Sequence, residues 1–191
     1  MARQVRVAVA RVDALPLARA RRKLGPRDRW RYARFRSEKR RREFLAGRAI
    51  LQRLGLKFDS AADGGIRAQG RAGASVSHAR GWVAGVVVSS GRPGIDIEPM
   101  IDRDFAKLGE WQFGRATSRR EFYEQWTRYE ARIKAFGDGK PRASHIERTW
   151  FLYERVALSV CVPASFASAS VLKWASWSLR SSRKRCSVSG R

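Results

Sequence analysis

The sequence predicts an α+β architecture of two similar halves, each a long helix packed on a small antiparallel sheet, and three observations carry that expectation. A helix-periodic run at 37–54 precedes strand-like runs at 82–88 and 94–98. A second, capped helix at 118–136 precedes strand-like runs at 149–154 and 156–162. The segments between them are rich in glycine and proline. This order divides the chain into an N-terminal half, residues 1–92, and a C-terminal half, residues 93–179. Residues 180–191, RSSRKRCSVSGR, carry no hydrophobic pattern and are expected to form a disordered basic tail.

The first helix, SEKRRREFLAGRAILQRL, places Phe44, Ile50, Leu51 and Leu54 at helical spacing, with arginines on the opposite side. Residues 59–74 are glycine-rich and read as turns or a loose hairpin. The apolar run WVAGVVV at 82–88 then predicts a strand, Arg92-Pro93 breaks the chain, and GIDIE at 94–98 predicts a second strand, so the pair suggests a hairpin. Ser118 and Glu121 form an S-x-x-E capping box. Phe122, Trp126, Tyr129, Ile133 and Phe136 follow at alternating four- and three-residue steps, and Gly137 ends the helix. TWFLYE and VALSVCV supply the closing strands, ahead of a Ser/Ala-rich segment with Trp174 and Trp177.

At 191 residues and 43% apolar, the chain can bury a substantial core. No apolar run approaches the roughly 20 residues of a membrane span. The arginine-interrupted N-terminus does not resemble a secretory signal, so a cytoplasmic protein is expected. Cys161 and Cys186 suggest no disulfide framework, and with His78 and His145 the only histidines, a zinc site has no ligand set. A catalytic metal would have to be held by carboxylates.

The formal charge is +24, from 41 basic and 17 acidic residues. Such a charge attracts polyanions of every kind, whether nucleic acid, an anionic membrane or an acidic protein, and it equally suits a compositional bias toward arginine. The scarce acids are therefore the more informative residues.

In a strand, alternate side chains share a face, so Asp96 and Glu98 point one way while Ile95 and Ile97 point the other. Their Cα atoms stand about 6.6 Å apart, from which two carboxylates can converge on one hard cation such as Mg2+. A half-buried strand with a solvated acidic face has the same pattern. Glu130 and Lys134, four apart in the second helix, share a face and describe either a surface salt bridge or a third carboxylate with an ammonium beside it for a phosphate. Ser77 and His78, in SVSH at 75–78, are candidate hydrogen-bond donors to a phosphate. Nothing at suitable spacing completes a Ser/His/Asp triad, so Ser77 is not read as a nucleophile.

The ordered elements SVSH, GIDIE and WTRYEARIKAFGDG, with RFRSEKRRREFLAGRAILQRL upstream, resemble the signature of the 4′-phosphopantetheinyl transferase superfamily over residues 31–162. The length is similar to that of the surfactin-synthetase-activator type, in which two halves form a pseudo-dimer around the active site. The resemblance implies Mg2+ ligands at Asp96, Glu98 and Glu130, and catalytic roles for Glu130 and Lys134. It implies coenzyme A contacts from Arg31, Ser77, His78 and Lys134. It departs from the family pattern at Tyr129, where relatives often carry lysine, so proton transfer falls to Glu130 or to a water at the metal. The loop before Ser77 also lacks its usual proline, leaving Arg67 and Arg71 as alternatives for the basic role there.

The implied reaction transfers the phosphopantetheine arm of coenzyme A to a serine of an acyl or peptidyl carrier protein and releases 3′,5′-ADP. Carrier proteins are acidic helical bundles, which suits a basic, monomeric enzyme whose nucleic-acid binding is non-specific. The competing class is a nucleic-acid-binding protein without catalytic activity, using the arginines for phosphate contacts. It accounts for the charge and leaves the ordered carboxylates unexplained.

Overall fold

The computed structural model describes residues 4–61 and 65–167 and the backbone of 175–176. In chain order the elements are β1 (Val5–Arg11), α1 (Leu17–Arg22), α2 (Pro26–Arg34), α3 (Glu38–Arg53), β2 (Phe58–Ser60), β3 (Ile66–Ala68), β4 (Gly73–Ala79), β5 (Trp82–Val88), β6 (Gly94–Pro99), α4 (Phe105–Phe113), α5 (Arg119–Phe136), β7 (His145–Leu152), β8 (Val156–Pro163) and β9 (Ala175–Ser176). The fold is α+β, as the sequence predicts. The anticipated tail at 180–191, with Cys186, Trp174 and Trp177, lies outside the described residues.

Two sheets dominate. The first has the order β4-β5-β1-β9, antiparallel except for the short parallel pairing of β1 with β9. The second, β6-β8-β7, is wholly antiparallel. Their inner faces share one core, in which Val5, Val7, Val9, Val86 and Val88 of the first sheet meet Ile95, Ile97, Leu158, Val160 and Val162 of the second. The outer face of the first sheet, with Ala8, Ala10, Val83 and Val87, is covered by Ala46, Ala49, Ile50, Leu51 and Leu54. These come from α3, whose stripe is the one predicted. The outer face of the second sheet is covered by α5. The central strands of the first sheet are thus buried on both faces, which explains why β5 reads as a nearly continuous apolar run.

The predicted hairpin of 82–88 with 94–98 does not form. β5 pairs with β1 and β4, whereas β6 pairs with β8, so residues 89–93 carry the chain from one sheet to the other. Gly91 makes the crossover possible, with φ of +85° and its backbone oxygen pressed against Gly73 at the start of β4. The predicted loose hairpin at 59–74 is real in part: β2 pairs with β3 across residues 61–65.

The second helix keeps its predicted ends. Ser118 and Glu121 form the reciprocal capping box, and Gly137 closes the helix in the left-handed conformation. Its buried face differs from the predicted stripe. Trp126, Tyr129, Ile133 and Phe136 are only half-buried, while Tyr123, Thr127, Ala131 and Ala135 are buried together with Phe122. The cause is a close approach to β6: a β-carbon on Gly94 would collide with the backbone oxygen of Ala131. Small residues permit that approach, and large aromatics would hold the helix away. Thr127, fully buried, completes the contact by hydrogen-bonding Ser159 on β8 at 2.7 Å.

Gly94→Ala therefore forces α5 off β6. It is expected to cost about 1–3 kcal/mol in urea-unfolding stability, the usual range for overpacking; an unchanged midpoint would show that the contact can relax.

Candidate functional site

The close approach of α5 to β6 brings together residues far apart in sequence. Lys134 Nζ lies 2.6 Å from Asp96 Oδ1 and donates to Ser77 Oγ at 2.9 Å. Ser77 Oγ in turn donates to Asp96 Oδ1 at 2.8 Å. Edge strand β4 packs beside edge strand β6, which is why a residue of the first sheet meets a carboxylate of the second. Asp96 is only 3% exposed, and its other oxygen, Oδ2, is buried with no hydrogen-bond partner among the described residues. A buried carboxylate with one oxygen unsatisfied is costly unless something binds it.

Glu98 and Glu130 are half-buried nearby. Burial is the main cause that raises the Glu98 pKa to about 7; the Asp96 and Glu130 charges add to it, while Lys134 and Arg103 oppose it. Glu130 is also raised, by burial first and by Asp96 second, with Lys134 opposing. Three carboxylates therefore crowd one ammonium. Among the described residues no three His, Cys, Asp and Glu side chains stand grouped as a ready ligand set. The donor chemistry nevertheless fits a hard divalent cation: all-oxygen ligands, a buried unsatisfied Asp96 oxygen, and two neighbours whose carboxyls are raised by burial first and by the Asp96 charge second, the latter a cause that a cation would offset.

Beside this cluster opens a cavity of about 620 Å³. Lys134 belongs to both. Arg31, Arg40, Arg48 and Arg92 also line it, with Glu43 the one acid among the described lining residues and Phe35 and Phe44 as the aromatic wall. The balance suits a polyanion with a flat ring. Arg48 is 6% exposed and is held by Asp28 on α2 through two hydrogen bonds of 2.9 Å, by Ser60 at 2.8 Å, and over the Phe44 ring at 4.3 Å. Asp28 is itself 1% exposed, so the pair fixes a cation at the cavity wall rather than in bulk water.

His78 also lines the cavity, with Nε2 3.1 Å from where a β-carbon on Gly47 of α3 would stand. Its surface is accessible, and it opens into the cavity among the other lining residues, which partly enclose the ring. That burial is the main cause lowering its pKa to about 4; a hydrogen bond to the Glu43 backbone opposes it, and Lys134, Arg48 and Arg40 reinforce it. His78 is therefore a neutral imidazole at pH 7.

The structure thus joins Asp96, Lys134 and Ser77 by direct hydrogen bonds, leaves Glu98 and Glu130 within electrostatic reach of them, and sets Arg31, His78 and Lys134 around the adjoining cavity. Neither Arg67 nor Arg71 lines that cavity. Besides Arg31 and Lys134, the cations there are Arg40, Arg48 and Arg92, to which the sequence motifs assign no role. Arg40, Glu43, Phe44, Gly47 and Arg48 occur at steps of three, one, three and one in α3, so a helical-face reading finds four of the lining residues and the glycine beneath His78.

No protein-family model matches this chain, and no curated protein gives a significant match.

The Glu98 shift has a definite sign. A carboxyl raised in the folded state supports stability fully below its ordinary pKa of 4.5 and loses that support as pH rises through about 7. His78 and His145, both lowered, act in the opposite sense below pH 6.5 and are common to wild type and variant. Glu98→Gln, compared with wild type in EDTA, should therefore gain melting temperature steadily from pH 4.5 to 7 and level off above. Parallel Tm curves across that window would contradict the shift.

Proposed function

We propose that this chain is a magnesium-dependent 4′-phosphopantetheinyl transferase, acting on coenzyme A and the serine of an acidic carrier protein. The observation that carries the proposal is the position of Lys134, whose ammonium joins the buried Asp96 carboxylate to the arginine-lined cavity. A phosphate-bearing cosubstrate in that cavity would reach the carboxylate cluster at Lys134. The arrangement of α3 on one sheet and α5 on the other agrees with a monomeric pseudo-dimer whose site lies between its halves.

Asp96, Glu98 and Glu130 would hold Mg2+, which when bound supplies positive charge to the pyrophosphate. The serine oxygen of the carrier protein forms a bond to the β-phosphorus of coenzyme A. The bond from that phosphorus to the bridging oxygen breaks, and 3′,5′-ADP leaves with the electron pair. Glu130, whose pKa is raised by burial, accepts the serine proton. Lys134 offsets charge on the transferring phosphoryl group, while Arg31, Arg40, Arg48 and Arg92 bind and orient the remaining phosphates. His78, neutral, donates a hydrogen bond without adding charge.

The basic surface favours encounter with an acidic carrier. The same surface attracts nucleic acid, so the test must read transfer rather than binding. Incubation with fluorescent coenzyme A, Mg2+ and a panel of apo-carrier proteins should label a carrier. Asp96→Ala should abolish labelling with a nearly unchanged circular-dichroism melt, and excess EDTA should do the same to wild type. Tight, steeply salt-dependent binding of duplex or single strands with no label transfer would instead establish the nucleic-acid-binding class.

The two residues of the α5 pair should separate kinetically. Lys134→Ala should weaken coenzyme A binding and slow transfer, whereas Glu130→Gln should mainly lower kcat. Lys134 pairs with Asp96 rather than with Glu130, and unchanged kinetic constants for Lys134→Ala would show that its ammonium takes no part in transfer.

A further inference from the structure

Ser77 and His78 adjoin in sequence, but a strand sends neighbours to opposite faces. Ser77 stands across from Ala84, on the face that meets the second sheet, and His78 stands across from Val83, on the face that meets α3. The consequence is a division of labour. His78 lines the arginine-rich cavity and Ser77 does not, being 6% exposed and enclosed between β4 and β6. Every hydrogen bond found for the Ser77 hydroxyl stays within the carboxylate cluster: it accepts from Lys134 Nζ at 2.9 Å and donates to Asp96 Oδ1 at 2.8 Å.

A carboxylate on a short side chain has two equivalent oxygens and can exchange them by rotation. At Asp96 both donors act on the same oxygen. Oδ1 receives the Ser77 hydroxyl and the Lys134 ammonium, and Oδ2 is left buried and without a partner among the described residues. Lys134 alone would not fix this orientation, because its long side chain is 29% exposed and can swing toward a phosphate in the cavity. Ser77 is anchored in a strand and cannot follow it.

We propose that Ser77 is a positioning residue for Asp96 and not a phosphate ligand: its hydroxyl holds Oδ1 so that Oδ2 stays free for a divalent cation when Lys134 turns to the cosubstrate. This rests on Asp96 being a cation ligand, as above. Partners that orient a metal ligand typically contribute 10- to 100-fold to metal affinity.

The test reads metal and cosubstrate separately on the full chain. Mn2+ affinity is measured by electron paramagnetic resonance without coenzyme A, and fluorescent coenzyme A affinity is measured by anisotropy in EDTA. Ser77→Ala should weaken Mn2+ binding about 10-fold or more, leave coenzyme A affinity in EDTA unchanged, and lower kcat at subsaturating metal. Ser77→Thr, which keeps the hydroxyl, should restore Mn2+ affinity. If Ser77→Ala fails to fold, Ser77→Cys carries the same comparison with a weaker donor and should bind Mn2+ less tightly than wild type. Wild-type Mn2+ affinity in the variant, or a loss of coenzyme A affinity in EDTA, overturns the proposal and leaves the metal site standing. Absence of Mn2+ binding by wild type overturns the metal site and the proposal together.

Discussion

The distance at which α5 can lie on β6 governs the rest of the molecule. Packed layers of secondary structure ordinarily stand about 10 Å apart, a gap that side chains fill. Gly94 under Ala131 removes that spacing, and the backbones touch. The contact strips solvent from Asp96, brings Lys134 onto it, and leaves Thr127, Ser159 and Thr149 to satisfy one another in a chain of hydroxyls at 2.7 and 2.8 Å. The perturbed carboxyls follow from the same closeness, since burial is the first cause of both the Glu98 and the Glu130 shifts.

The positive charge of the chain is less uniform in effect than its total suggests. Many arginines are spent on local contacts: Arg34 stacks over Trp30, Arg120 over Phe151, and Arg132 binds Glu147 at 2.9 Å. Arg34 and Arg120 are exposed and their contacts contribute little stability, whereas Arg132 and Glu147 are half-buried. Arg48 is the exception, because it and Asp28 are both buried and tie α2, α3 and β2 together through Ser60. Removing one partner of such a pair leaves a bare charge in the interior, which makes it a structural joint as well as a cavity wall.

How much of this was legible before the structure depended on whether a feature is local. The two long helices, the caps of the second and the strands 82–88 and 94–98 each announce themselves within a few residues, and so do the Asp96 and Glu98 face and the Glu130 and Lys134 spacing. The pairing of β6 with β8 rather than β5 is decided by a glycine-enabled crossover and by partners some 60 residues away, which no local pattern encodes. The buried face of α5 was misread because amplitude of hydrophobicity was taken as depth of burial, when the close contact with Gly94 selects alanine and threonine. The strand β1, its sequence VRVAVAR broken by arginines, and the helices α1, α2 and α4 were not anticipated. The last of these is ended by Gly114 and capped by Asp104, the local signal by which the sequence marks that helix.

The crossover at 89–93 has one more consequence. Ser77 and His78 belong to the sheet before it, and Asp96, Glu98, Glu130 and Lys134 to the elements after it, so the five-residue link sets the effective concentration of one half of the site for the other. Cleavage there would leave two fragments with one chemistry divided between them, each also exposing the apolar inner face that Val86 and Ile97 now share. Reassembly would then become a bimolecular event driven by that face. In this sense the chain is two docked sheets on a five-residue tether, and the contact of Ser77 with Asp96 and Lys134 lasts only while both are docked.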